Sequence, residues 1–166
     1  MDALNKPKVY LESSFFGYLT GHPSVVPKTA YWQALTRQWW ESCRPRVECF
    51  VSRWVLSESS DGDDDAVERR MAALSGIPEI LPSATEVAAL AEKLILAHAL
   101  PEKEITDAFH IATATVGGMD VLLTWNCKHL ANYVALPKTY AVLTSAGYRS
   151  PVIITPEKYL EEFPHE

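Results

Sequence analysis

The sequence feature that most constrains this chain is the alternation of short β-rich segments with longer helical ones. Strand-forming residues concentrate in segments 8–11 (KVYL), 47–52 (VECFVS), 119–125 (MDVLLTW) and 152–155 (VIIT). The stretches between them carry apolar residues at helical spacing, as Val87, Leu90, Ala91 and Leu94 do. Strands that alternate with helices predict an α/β fold in which helices cover a mostly parallel central sheet.

Helix boundaries follow from capping residues, prolines and glycines. The pattern predicts helices over residues 12–21, 27–40, 65–74, 83–98, 102–116 and 156–163. Three segments have less decided patterns. Residues 54–65 fit a helix or a turn, residues 78–81 a short strand, and residues 126–148 one or two helices.

The chain is predicted to form one domain over residues 1–166. Its 166 residues fall within the usual size of a single domain, and we find no repeat and no linker that would divide it. No apolar run approaches the roughly 18 residues that a membrane helix needs, and the first residues lack the apolar core of a signal peptide. We therefore expect no membrane partner and a cytoplasmic location.

The cysteines indicate neither disulfides nor structural zinc. Cys43, Cys49 and Cys127 are odd in number and form no C-x-x-C pair, so we expect buried, reduced thiols. The formal net charge of −6 also counts against general nucleic-acid affinity, because such binders are more often basic. Carboxylates that converge on a metal would nevertheless leave local positive charge where a phosphate sits.

Four oxygen-bearing side chains could converge, three of them near the carboxyl ends of strands, where ligands bind in α/β proteins. Glu12 follows the first strand, Glu58 follows the second strand by about two helical turns, Asp107 lies early in a helix, and Asn126 closes the third strand. Hard cations such as Mg²⁺ and Mn²⁺ prefer carboxylate, carbonyl and water oxygens. A cation held there would favour the hydroxide form of a water and neutralise charge on a scissile phosphate.

Each of these residues also has an ordinary structural interpretation. Glu12 fits a helix cap as well as a ligand, and Glu58 fits a solvated glutamate near a turn. Asp107 interrupts an apolar helix face, which a salt bridge would explain as well as a metal. Asn126 fits the N-cap of the following helix equally well.

Several neighbouring residues are candidates for support or substrate contact. His110 lies three residues after Asp107 and fits a hydrogen-bonded core histidine, one that orients this carboxylate, or a substrate contact. Lys128 and His129 fit phosphate contacts or a solvated helix face. The aspartates at positions 61 and 63–65 lack the order of a calcium loop and are predicted to cap the next helix.

Four segments together resemble the PIN-domain proteins of VapC toxin type. They are VYLESSFFGYL, FVSRWVLSE, ITDAFHIATA and DVLLTWNCKHLAN, which span residues 9–132 in the order that this family shows. The resemblance implies a three-layer α/β/α fold, Mg²⁺- or Mn²⁺-dependent ribonuclease activity, and neutralisation by a cognate antitoxin. It also implies that Glu12, Glu58 and Asp107 bind metal, that Asn126 stands at the fourth polar position, and that Ser13 supports Glu12.

Two positions depart from the usual family pattern. The first acid is more commonly aspartate than Glu12, and the fourth position is often aspartate where this chain has Asn126. We therefore keep two hypotheses. The first is an endoribonuclease toxin with RNA as substrate, an antitoxin partner, and a homodimer formed by apolar helices near the N-terminus. The second is an inert PIN-fold module that binds RNA or a protein. An aspartate-nucleophile phosphatase is disfavoured because no D-x-D strand end is present.

Overall fold

The structure, a computed structural model, describes residues 5–164. Its strands are β1 (Lys8–Leu11), β2 (Glu48–Phe50), β3 (Val121–Leu123) and β4 (Val152–Ile154). Its α-helices are α1 (Ser13–Thr20), α2 (Pro27–Ser42), α3 (Arg53–Ser59), α4 (Asp64–Leu74), α5 (Ala84–Leu96), α6 (Ile105–Val116), α7 (Leu136–Ser145) and α8 (Pro156–Glu162). Short 3₁₀ turns occupy Arg44–Arg46 and Glu102–Glu104.

The four strands form one parallel sheet in the order β2-β1-β3-β4. Helices α1, α2, α4 and α8 pack with one another, α5 packs on α6 and α7, and α3 contacts both groups. This is the predicted three-layer α/β/α fold. The centre of the sheet is buried on both faces, since Val9, Tyr10 and Leu122 have no exposed surface, as is typical of parallel strands between helix layers.

The strand register brings the carboxyl ends of the two central strands together. Leu11 of β1 pairs with Leu123 of β3, so Glu12 and Thr124 are the first residues beyond the paired ends. The chain runs from β1 to β2 on one side of β1 and later returns to β3 on the other side. Ligands of open α/β sheets bind at this kind of switch point.

Local sequence explains where the helices begin and end. Ser52, Asp63, Ser83 and Thr155 each cap a helix through the side-chain oxygen, and Pro27 and Pro156 occupy first helical positions. Asp63 thereby has the capping role that was predicted for the acidic segment. Helix α6 ends at Gly117, and Gly118 follows with φ of +73°, which glycine adopts at low cost.

One segment differs from the sequence prediction, and another matches one of two predicted alternatives. Residues 78–81 do not form a strand; only one parallel bridge joins Glu79 to Val51, because Pro78 and Pro82 leave room for no ladder. Residues 126–148 contain the single helix α7, preceded by turns. None of the helices within residues 5–164 has the length and apolarity that a membrane crossing requires.

Candidate metal centre

Glu12 is both a helix cap and a buried carboxylate. It is 4% exposed, and its Oε2 accepts hydrogen bonds from the backbone N–H of Ser14 at 3.1 Å and from the Ser14 hydroxyl at 2.5 Å. The Thr124 hydroxyl donates to the same oxygen at 2.7 Å. The structure therefore confirms that Glu12 caps α1, and its role as a metal ligand stays a prediction.

Glu58 lies beside Glu12, although α3 carries it from the second strand. Its Oε1 accepts a hydrogen bond from the Ser13 hydroxyl at 2.9 Å and a short one from His110 Nε2. The Glu58 side chain is 41% exposed, whereas that of His110 is fully buried. The resemblance implied that Ser13 supports Glu12, but in the structure Ser13 contacts Glu58 and Ser14 holds Glu12.

A buried hydrogen-bond chain fixes His110 from behind. Its Nδ1 lies 2.6 Å from the hydroxyl of Tyr10, which lies 2.7 Å from the hydroxyl of Ser52. Because an ionised carboxylate only accepts, His110 must donate from Nε2 to Glu58. His110 is thus a hydrogen-bonded core histidine that orients Glu58, and it makes no hydrogen bond with Asp107 among residues 5–164.

The surroundings of Glu58 and His110 favour the charged form of both side chains. Burial opposes a charge on His110, but the hydrogen bond that it donates to Glu58 and the negative charges of Glu12, Glu58 and Asp107 raise the imidazole pKa above its ordinary value. Burial likewise opposes a charge on Glu58, and its hydrogen bonds with His110 and Ser13 outweigh burial and lower its pKa. Glu58 is therefore ionised at neutral pH.

Asp107 and Asn126 meet on the other side of the centre. The Asn126 side-chain amide lies 3.4 Å from Asp107 Oδ2, and Asn126 Oδ1 accepts a hydrogen bond from the backbone N–H of His129 at 3.0 Å. Asn126 thus caps the following turn and contacts Asp107 with the two ends of one side chain. Burial, followed by the charge of Glu12, raises the pKa of Asp107 to about 6.

Of the two remaining predicted residues, His129 joins the centre and Lys128 does not. His129 Nε2 lies 3.3 Å from Glu104 Oε1, and these two side chains form a group with Asp107. Lys128 has an exposed side chain, and its backbone carbonyl accepts a hydrogen bond from Asn132. The structure gives Lys128 no contact with the carboxylates within residues 5–164.

Two sets of ligand atoms are close enough to hold a cation. One atom each from Glu12, Glu58 and His110 lie within 4.8 Å of one another, and so do atoms from Glu104, Asp107 and His129. His110 uses both ring nitrogens in hydrogen bonds, so the carboxylates are the better donors of the first set. The negative charge of Glu12 helps to raise the pKa of Asp107, so the two sets are coupled electrostatically although their ligand atoms form separate groups.

The donor chemistry fits a hard divalent cation. The hydrogen bonds of Glu12 and Asp107 go to one oxygen of each carboxylate, Oε2 and Oδ2, and those of Glu58 go to Oε1. The second oxygen of each accepts no hydrogen bond from residues 5–164. Three carboxylates that are each fixed through one oxygen and open at the other suit Mg²⁺ or Mn²⁺.

Several residues of the centre were missed by sequence reasoning. Tyr10 and Ser52 lie in segments predicted as ordinary strands, and only the tertiary hydrogen bonds show that they form a chain to His110. Ser14 and Thr124 lie in the quoted segments 9–19 and 120–132 but had no role assigned. Glu104 had a usable signal, because it precedes Asp107 by three residues and so shares its face of a helix.

The tryptophans belong mostly to the core, and the cysteine prediction has a mixed outcome. Trp39 and Trp125 are core residues, and Trp125 stacks on the partly buried Trp32 with ring centroids 4.5 Å apart. All three cysteines are free thiols. Cys43 is buried, but the expectation of burial is wrong for Cys127, which is exposed because it lies in the turn after β3.

Comparison with known proteins adds no family to these observations. No protein-family model, no curated protein and no solved structure matches this chain. The resemblance to PIN-domain toxins therefore stays a prediction that rests on the four sequence segments.

Proposed function

We propose that this protein is a metal-dependent endoribonuclease of a toxin–antitoxin pair. The supporting observation is that Glu12 and Glu58 offer ligand atoms within 4.8 Å of each other at the switch point of a parallel sheet, beside a second group formed by Asp107, Glu104 and His129. Each of the three acids Glu12, Glu58 and Asp107 has one oxygen without a hydrogen bond from residues 5–164. The choice of RNA as substrate comes from the resemblance to PIN-domain toxins. Mg²⁺ or Mn²⁺ is the proposed cofactor, because all three side chains offer hard carboxylate oxygens.

The three acids have different parts in this proposal. Glu12 is held by Ser14 and Thr124, and Glu58 by Ser13 and His110, so both present an oxygen without a large loss of side-chain freedom on binding. Asp107 is held by Asn126. A cation bound there supplies charge neutralisation for a phosphate and lowers the pKa of a water.

Charge explains why such a cation would be needed. The centre collects carboxylates within a protein whose formal net charge is −6, so a phosphodiester would be repelled from it. A divalent cation reverses the local sign. RNA affinity at this centre should therefore depend on the cation, whereas a constitutive basic groove would bind RNA without it.

The proposed partners have a less direct basis. Val25 is 97% exposed, Val26 55% and Tyr31 53%, and all three lie around the start of α2. Exposed apolar groups of this kind suit contact with an antitoxin or a second copy of the chain. The antitoxin follows from the resemblance and the homodimer from these exposed apolar groups, and mass measurement of the purified protein alone and with a co-expressed antitoxin would test both.

One observation favours the second hypothesis of an inert module. Asn126 places a neutral amide beside Asp107, where a fourth carboxylate would add charge for a second cation. If this loss abolishes metal binding, the fold would serve to bind RNA or a protein without cutting. Metal binding separates the two hypotheses.

The deciding experiment compares three proteins on a panel of structured RNAs with Mn²⁺, Mg²⁺ or EDTA. They are the wild type, Asp107→Asn, and the matched control Asp64→Asn, which makes the same substitution at an exposed position in α4. We expect cation-dependent cleavage by the wild type and by Asp64→Asn. Asp107→Asn should lose at least about a hundredfold in rate, as is usual when an electrostatic catalytic group is removed.

Other outcomes have distinct meanings. Equal cleavage by all three proteins would identify a contaminating nuclease and remove support for the proposal. Absence of cleavage together with absence of Mn²⁺ binding by calorimetry would favour the inert module. Mn²⁺ binding that is lost in Asp107→Asn, without cleavage of any RNA, would retain the metal centre and reject the RNA panel as substrates.

A further inference from the structure

A cavity lies beside the candidate metal centre, and helices α3 and α6 contribute residues to both. It has a volume of about 260 Å³ and is enclosed by the start of α3, the segment before α5, and α6. Trp54 and Phe109 form an aromatic wall, with ring centroids 4.6 Å apart and planes inclined by 34°. Ile80, Leu81 and Val87 supply the apolar surface across from that wall.

One polar group inside the cavity has no partner. The hydroxyl of Thr113 is buried, the residue is 3% exposed, and Oγ1 makes no hydrogen bond. Three other helical threonines bond back to the carbonyl four residues earlier, namely Thr20 to Phe16, Thr36 to Trp32 and Thr115 to Ile111. Because a buried unpaired hydroxyl is costly, its position in the cavity wall indicates a ligand with a complementary polar atom.

The size of the cavity restricts the ligand to about one ring. Pockets for drug-sized molecules usually measure roughly 300 to 1,000 Å³, so this cavity lies below that range. A flat ring of this size can stack on the Trp54–Phe109 wall, and Thr113 lines the same cavity. Arg53 stands at the rim, with its guanidinium 5.2 Å from the Trp54 ring centroid, where it suits an anion attached to the ring.

The cavity is also adjacent to the carboxylates. Trp54 precedes Glu58 by four residues, which places the two side chains one above the other on α3, about 5–6 Å apart at Cβ. Phe109 is the direct neighbour of His110 on α6, and the cavity residue Ser52 begins the hydrogen-bond chain through Tyr10 to His110. An RNA chain with one phosphate at the carboxylates would carry its next base toward the cavity.

We propose that the cavity formed by Trp54, Phe109 and Thr113 binds one nucleobase of the RNA, stacked on the two aromatic rings, hydrogen-bonded to Thr113 and with its phosphate toward Arg53. The inference deepens the proposed ribonuclease function and rests on it for the identity of the ligand. It assigns base preference next to the cleavage site to these residues. A tryptophan side chain of a protein partner is the competing occupant.

The test measures binding without metal, so it does not depend on cleavage. Protein labelled at isoleucine δ1 methyl groups is titrated in EDTA with each of the four nucleoside 5′-monophosphates, with ribose 5-phosphate, and with N-acetyltryptophanamide. Ile80 lines the cavity and reports binding, while Ile153 in β4 serves as the reference. We expect at least one mononucleotide to shift the Ile80 signal in a saturable way, and ribose 5-phosphate to leave it unchanged.

Two valine variants on α6 provide a matched pair. Thr113→Val removes the unpaired hydroxyl with little change in shape, and Thr115→Val removes a hydroxyl that is already satisfied within the helix. Thr113→Val should weaken the preferred mononucleotide about tenfold, and Trp54→Leu by at least as much, whereas Thr115→Val should bind like the wild type. Unchanged Ile153 signals would show that the variants fold.

Three results would overturn the inference. They are the absence of an Ile80 shift with all four mononucleotides, an equal shift with ribose 5-phosphate, and mononucleotide affinity that is unchanged in Thr113→Val. Tighter binding of N-acetyltryptophanamide than of any mononucleotide would assign the cavity to a protein partner and overturn it too. Nucleotide binding here would stand even if the metal centre cut no RNA, so failure of the two proposals is distinguishable.

Discussion

Replacing Tyr10 by phenylalanine tests whether the hydrogen bonds behind Glu58 stabilise the fold. Tyr10 is fully buried, and its hydroxyl links Ser52 at 2.7 Å to His110 at 2.6 Å. Burial raises the pKa of Tyr10 above its ordinary value, so the hydroxyl keeps its proton and can donate. Tyr10→Phe keeps the ring and deletes only this link.

The magnitude follows from the two bonds and the group left behind. Each hydrogen bond contributes about 1 kcal/mol, and a buried ring nitrogen of His110 without a partner adds its own desolvation cost. We therefore expect a loss of roughly 2–3 kcal/mol in the free energy of unfolding. For a chain of this length that corresponds to a decrease in Tm of about 5–10 °C.

Urea denaturation followed by circular dichroism would measure this loss. Tyr159→Phe is the matched control, because Tyr159 is 5% exposed and its hydroxyl makes no hydrogen bond within residues 5–164. The control should change the free energy of unfolding by less than about 0.5 kcal/mol. If Tyr10→Phe costs no more than the control, the buried chain does not stabilise the fold, and our account of how Glu58 is oriented fails.

The remaining predictions concern Asp107 and two glycines. Since the pKa of Asp107 is raised to about 6, Mn²⁺ affinity measured by calorimetry should rise with pH through about 6 and level off above it; a constant affinity between pH 5 and 7.5 would contradict this. The same raised pKa destabilises the metal-free fold once the pH exceeds the ordinary 3.8, and fully so above 6. At pH 8 the free energy of unfolding of Asp107→Asn should therefore exceed that of the wild type by about 1 kcal/mol, a figure reduced for solvent screening of this partly exposed side chain. The difference should vanish near pH 4. In α1, Gly17→Ala should stabilise by about 0.5–1 kcal/mol, because nothing lies within 4 Å of the added methyl group. Gly117→Ala should destabilise by roughly 1–3 kcal/mol, because its methyl group would lie 2.9 Å from both Ile80 Cδ1 and the Thr113 carbonyl oxygen; thermal unfolding of both variants would test the contrast.

Periodicity predicted most of the secondary structure because each signal is local. The apolar stripe of α5, the glycines after α6 and the β-rich segments of β1, β3 and β4 depend on neighbours within a few residues. The short strand expected at residues 78–81 is wrong for a reason that the sequence also carries. Pro78 and Pro82 flank the segment and cannot donate to a ladder, so only one bridge forms, between Glu79 and Val51.

The candidate centre was predictable only in part. Glu12, Glu58, Asp107 and Asn126 could be selected because carboxylate and amide oxygens stand near strand ends or early in a helix. Whether they meet depends on strand order, since Glu12 and Asn126 are 114 positions apart in the chain (126 − 12). The partner of Ser13 shows the limit of such inference, because a residue next to Glu12 in sequence bonds to Glu58.

The sequence by itself determined the α/β class, most helix boundaries and the residue types available for chemistry, because these follow from spacing and side-chain composition. Tertiary structure alone decided the parallel order β2-β1-β3-β4, which brings Glu12 beside Thr124. It also decided that Tyr10 and Ser52 support His110, and that Thr113 lacks a partner inside an aromatic cavity. Contacts between distant segments depend on how whole elements pack, and no local pattern encodes that packing.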